Sequence, residues 1–102
     1  MSQEHDIITA ERCLASGDVE GAEHALRASW PALEQGPASV LHLVGVIRRK
    51  QGRWAEAEVF LRRAAAAEPQ QARHLIALGE TLAQAGLPEP GADILAAALA
   101  LE

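Results

Sequence analysis

The sequence predicts an all-α fold, a right-handed superhelical solenoid of three helix-turn-helix units with six helices, and three observations carry that expectation. The stretch Leu41–Pro69 sets Gly45, Gly52, Trp54, Ala57, Leu61, Ala64 and Pro69 at offsets suited to two antiparallel helices joined by a tight turn. The small residues permit close helix approach, Gly52 permits the turn, and Pro69 ends the second helix. The offsets then recur: a shift of about 34 residues places Gly79 on Gly45, Gly86 on Gly52, Leu95 on Leu61 and Ala98 on Ala64. A similar shift backwards brings Gly17 near Gly52, Ala22 onto Ala57 and Leu26 onto Leu61. Finally, 49% of residues are hydrophobic but only 3% aromatic, so the core is alanine and leucine, and a sheet is not expected.

Taken in order, the first helix is expected over about Glu4 to Ala15, with Ile7, Ala10 and Leu14 at helical spacing and Ser16-Gly17-Asp18 as the turn. Asp18 is placed to cap the second helix, which has Glu20 and Glu23 near its start and Ala22, Ala25, Leu26, Ser29 and Leu33 along one face. Pro31 lacks an amide hydrogen and must kink that helix or end it near Ser29. Ser39 is expected to cap the third helix, whose basic last turn, Arg48, Arg49 and Lys50, complements the carbonyl end of the helix dipole. The fourth helix runs from about Trp54 to Ala67 with Glu58 four residues before Arg62. A fifth follows from about Ala72 to Gln84, burying Leu75, Leu78 and Leu82. The sixth starts at Pro88 or Glu89 and reaches the end of the chain.

These positions resemble the tetratricopeptide repeat family over nearly the whole chain, as one domain, residues 1–102, that is either complete or excised from a longer protein. The middle unit, about 38–71, carries Leu41, Val44, Gly45, Trp54, Ala57, Leu61, Ala64 and Pro69. The third, about 72–102, keeps Leu75, Leu78, Gly79, Leu82, Gly86, Leu95 and Ala98 but has Gly91 where the family prefers alanine. The first, about 3–36, keeps Ala10, Gly17, Asp18, Ala22 and Leu26, yet has Asp6 and Thr9 at positions expected to be apolar, which points to a one-residue shift of its first helix. The resemblance also implies that the aromatic at Trp54 wedges between the two helices of its unit.

Composition narrows the function. A net charge of −5 argues against general affinity for nucleic-acid backbones, despite the small cluster Arg48, Arg49, Lys50 and Arg53. The polar start MSQEHD shows no signal peptide, and the apolar run Ile94–Leu101 falls well short of the ~20 residues that span a bilayer. A cytoplasmic protein is the default expectation. Cys13 has no partner for an internal disulfide and reads as a small buried thiol. His5, His24, His42 and His74 lie on different helices without ligand spacing, so neither a metal site nor a cofactor is expected. His42 and His74 come from equivalent helices of successive units and can approach one another as hydrogen-bonded or solvated imidazoles. No catalytic constellation or glycine-rich phosphate loop is visible, and no enzyme activity is expected.

Two surfaces stand out. The resemblance implies that the first helix of each unit lines a concave groove that contacts a ligand. Its residues here are Ser39, His42, Leu43, Val46, Arg49 and Lys50 from the middle unit, and Arg73, Ile76, Ala77 and Glu80 from the third. Ala83 and Gln84 extend the set, and Ile7, Ile8, Glu11 and Leu14 form it in the first unit. The asparagines with which some relatives clamp a carboxylate terminus are missing, since the chain contains no asparagine. An apolar floor edged by Arg49, Lys50 and Arg73 suits an amphipathic or acidic peptide instead. The other surface is the last helix, GADILAAALALE, where Leu95, Leu99 and Leu101 lack a polar cap and are expected to pack on a following helix or on a second copy, making a homo-oligomer. The leading expectation is a protein-interaction module. Alternatives are a docking region ahead of a bacterial enzyme, which the arginine-over-lysine bias with Lys50 as the one lysine would suit, and a secretion-type chaperone.

Overall fold

The computed structural model describes residues 2–102, and its described residues form six α-helices with no strand. The helices are α1 (Gln3–Ala15), α2 (Val19–Ser29), α3 (Ala38–Lys50), α4 (Trp54–Ala67), α5 (Ala72–Gln84) and α6 (Pro88–Leu99), with one short 3-10 turn, Leu33–Gln35, between α2 and α3. Consecutive helices pack as the hairpins α1–α2, α3–α4 and α5–α6, and the hairpins stack through α2 on α3 and α4 on α5. The odd-numbered helices also touch one another, α1 with α3 and α3 with α5, whereas the even-numbered ones make no comparable contact. The odd helices therefore line the inner side of an elongated body of 41 × 26 × 22 Å.

Side-chain size explains the hairpins. A Cβ placed on Gly45 would lie 2.5 Å from Leu61 Cγ, and one on Gly79 would lie 2.7 Å from Leu95 Cγ, so each leucine of the second helix sits directly over a glycine of the first. Ala10 and Leu26, both fully buried, fill the corresponding places in the first hairpin. Gly91 departs from the expected alanine because the backbone of α5 is its neighbour: a methyl there would meet the Gly79 carbonyl at 2.8 Å. The three hairpin turns are one structure repeated. Gly17, Gly52 and Gly86 have φ of 86, 76 and 90°, a region that L side chains enter at a cost. The residue after each donates its backbone N–H back to the helix, Asp18 to Cys13, Arg53 to Arg48 and Leu87 to Leu82, at 2.7, 2.8 and 2.9 Å.

Those bonds set the register of all three units, and the first helix is not shifted. Asp6 occupies the large apolar position and is buried, with its carboxylate accepting the Ser29 hydroxyl from the end of α2. A polar pair thus replaces an apolar contact, which is why the sequence pattern looks displaced. Pro31 acts as expected: α2 stops at Ser29, and Trp30 before the proline has left the helical region, with φ −130° and ψ 81°. Asp18 caps α2 through Gly21 N–H at 2.9 Å. Ser39 does not cap α3, because the extended Pro37 stands at the cap and Ser39 falls inside the first turn. Helix α6 ends at Leu99, three residues early, in a turn where Glu102 N–H reaches the Leu99 carbonyl. Trp54 opens α4 half-buried and belongs to neither main apolar cluster, and Cys13 is half-buried at the edge of the first.

The first cluster joins units one and two around Leu26, Leu33, Val40, Leu43, Val44 and Ile47, and the second joins units two and three around Leu61, Ala77, Leu78 and Leu82. Each fully buried leucine contributes about 1.5–3 kcal/mol. Gly45→Ala should lower stability by about 1–3 kcal/mol, because Leu61 is held from every side and cannot withdraw. Thermal unfolding followed by circular dichroism checks this, with an unchanged Tm counting against the close-approach account.

Candidate functional site

The inner face of α3 and α5 brings together most of the predicted groove. Val46 and Ser39 are half-buried, while Lys50, Arg73, Ile76 and Glu80 are exposed. Two residues leave the set. Leu43 and Ala77 are 8% and 6% exposed and belong to the junction clusters, since their position on the first helix faces the preceding unit and not the open groove. Arg49 is also not a free cation, because its Nη1 lies 3.4 Å from Glu80 Oε1 on the neighbouring helix. Arg73 is half-exposed, with its guanidinium 3.9 Å from Glu68. In the first unit, Ile7 and Leu14 pack against the core and Ile8 is exposed. Lys50 and Arg73 therefore carry the accessible positive charge along the basic edge.

At the base of this face lies a chain of three polar side chains. His42 Nδ1 and His74 Nδ1 are 2.8 Å apart, and His74 Nε2 is 2.7 Å from Glu68 Oε1. His74 is fully buried. An ionised Glu68 can only accept, so His74 donates through Nε2–H, and a single proton lies between the two Nδ1 atoms. Burial chiefly, then the nearby His74, Arg73 and Arg49, pushes His42 down to about 4. The hydrogen bond from His74 holds Glu68 below the usual carboxylate range. The sequence showed that the two histidines could approach, but the part of Glu68, at the end of α4, was hidden because it depends on the angle between hairpins.

A second polar tie was missed entirely. Arg48 is 7% exposed and forks onto Glu23, with Nη1 to Oε1 at 2.6 Å and Nη2 to Oε2 at 3.2 Å, while Gln51 Oε1 accepts from the same Nη1 at 3.0 Å. The Arg48 hydrogen bond is the main cause that lowers Glu23 to about 2. Helix-dipole complementarity accounted for Arg48 locally, and nothing in the spacing pointed across the junction to α2. The exposed Glu58–Arg62 pair forms as expected at 2.8 Å.

The far end of the solenoid carries the other predicted surface. Leu95 and Leu101 are half-buried and Leu99 is 70% exposed. An open apolar pocket of about 240 Å³ is lined there by Ile76, Leu95, Ala98, Leu99 and Glu102. Among the described residues, no group of three or more His, Cys, Asp or Glu side chains is arranged to hold a metal ion. No helix among them is long and apolar enough to cross a membrane.

This geometry is that of a tetratricopeptide-like helical solenoid. Among solved structures the chain is similar to a mutant O-GlcNAc transferase from Thermobaculum terrenum, with a TM-score of 0.85 and 30% identity over 98% of this chain. The chain spans only 19% of that protein's chain. No protein-family model matches the sequence, and no curated protein matches it.

The two polar ties make stability depend on pH in one direction. Folded His42 binds its proton less readily than at its ordinary value of 6.5, so the unfolded chain holds the extra proton between about pH 6.5 and 4. Folded Glu23 behaves likewise between 4.5 and about 2. Stability should therefore fall as pH falls through both windows, and His42→Gln should flatten the upper one. Urea titrations from pH 7 to 3 measure this; a midpoint constant from pH 6.5 to 4 would contradict it.

Proposed function

We propose that the chain is a non-catalytic protein-interaction module whose inner face binds a peptide or helical segment. The observation that supports it most directly is the surface built by α3 and α5, where exposed Ile76 and half-buried Val46 stand beside the accessible cations Lys50 and Arg73. Apolar side chains with a basic edge are complementary to an amphipathic segment that carries acidic residues on one flank. Arg49 and Glu80 form a pair bridging the two helices and help set the groove's width.

The likeness to a part of a transferase favours a second reading, in which this module is the docking region of a longer enzyme and presents a protein segment to it. Both readings assign the same face to the same kind of ligand. A coding region continuing past Glu102 into a catalytic region would favour the second.

The groove is tested with a synthetic amphipathic helix of about 15 residues, leucines on one face and glutamates on the flank. Fluorescence anisotropy should show saturable binding that weakens with salt, and Lys50→Glu with Arg73→Glu should raise Kd about tenfold or more, a loss of at least ~1.4 kcal/mol. Helicity should not change, since both side chains are exposed. Equal affinity for the double variant would remove the groove reading.

A further inference from the structure

We propose that the chain associates head to tail with a second copy of itself, α1 of one copy lying on the α5–α6 end of the next in the pose that α5 takes on α3–α4 within the chain. The internal repeat shows what fits this end. By the register of the turn bonds, the pocket residues Ile76, Leu95, Ala98 and Glu102 correspond to His42, Leu61, Ala64 and Glu68 one unit earlier. There α5 covers them: Leu61 and Ala64 are fully buried, Ala77 joins the cluster around Leu61, and His74 binds both His42 and Glu68.

The same register identifies the matching face of α1. His74 and Ala77 correspond to Val40 and Leu43 in α3, which are buried against the first unit, and to His5 and Ile8 in α1. In α1 these two are exposed, Ile8 at 46%. Docked as α5 is docked, α1 would set the His5 imidazole at Glu102, as His74 sits at Glu68, and Ile8 in the open pocket, as Ala77 sits on Leu61. Size agrees with this. Within the chain an alanine meets Leu61, with both side chains buried, whereas the end face offers about 240 Å³ of open apolar space and the incoming residue is an isoleucine. A histidine–carboxylate hydrogen bond, like that of His74 with Glu68, adds a polar contact at the other edge. The two surfaces belong to different units, α1 in the first and α5–α6 in the third, so the contact is heterologous and can add further copies in the same sense.

With one large apolar anchor the association is weak, so the test uses the 102-residue chain over a concentration series from about 10 µM to 1 mM. Sedimentation velocity should show a weight-average mass that climbs with concentration beyond that of two chains. Ile8→Glu and Leu99→Glu should each give a monomer with unchanged helicity by circular dichroism. An equimolar mixture of the two should give a species of two chains and nothing larger, because only one competent head and one competent tail remain between them. Glu102→Gln should weaken the wild-type association several-fold, and Lys50→Glu with Arg73→Glu, in the groove, should leave it unchanged. A wild-type chain that stays monomeric at about 1 mM would overturn the proposal. So would a dimer that Leu99→Glu abolishes and Ile8→Glu spares, the pattern of a symmetric contact between two α6 helices.

Discussion

The close seating of a leucine over a small residue is the constraint on which the remaining structure depends. Leu61 over Gly45 and Leu95 over Gly79 hold the hairpin helices at a separation that any added methyl would force apart. At that separation the connecting turns must be short, and a left-handed glycine followed by a backbone bond to the preceding helix meets the requirement each time. Few aromatics are needed because there is little space between the helices to fill. The third hairpin takes the principle furthest, with Gly91 bringing α6 against the backbone of α5.

Stacking the hairpins is a separate problem, and the two junctions solve it differently. Between the first and second units the contact is mainly apolar, with the Arg48–Glu23 fork at one edge. Removing a single partner from so enclosed a pair would strand a charge, so this edge specifies the docking angle more than it adds stability. Between the second and third units, a small apolar cluster is accompanied by His42, His74 and Glu68. Each member of that chain has a hydrogen-bond partner, and no buried side-chain polar atom among the described residues lacks one. Acid acts on this second junction first because His42 is the group with the higher of the two depressed values.

The proposed binding face is built over that junction. His42 lies at its base, and Arg49 and Glu80 reach across the two helices that the junction holds together. The width and charge of the groove therefore depend on how α5 docks on α3 and α4. The same docking pose, read at the ends of the chain, relates the exposed His5 and Ile8 to the pocket around Leu95 and Leu99.

Local chemistry was sufficient to read the helices themselves from the sequence. Gly45, Gly52, Pro31, Asp18 and the recurrence of Leu61 at Leu95 each act on a neighbour within one hairpin, and their consequences follow from residue type and spacing. Where a feature depended on the angle between hairpins, sequence could not supply it. Leu43 and Ala77 turned toward the preceding unit instead of the groove, Asp6 kept its register by taking a hydroxyl from Ser29, Arg48 found Glu23, and Glu68 completed the histidine chain. Spacing determines which side of a helix a residue occupies, but only the packing of one hairpin on the next decides what that side meets.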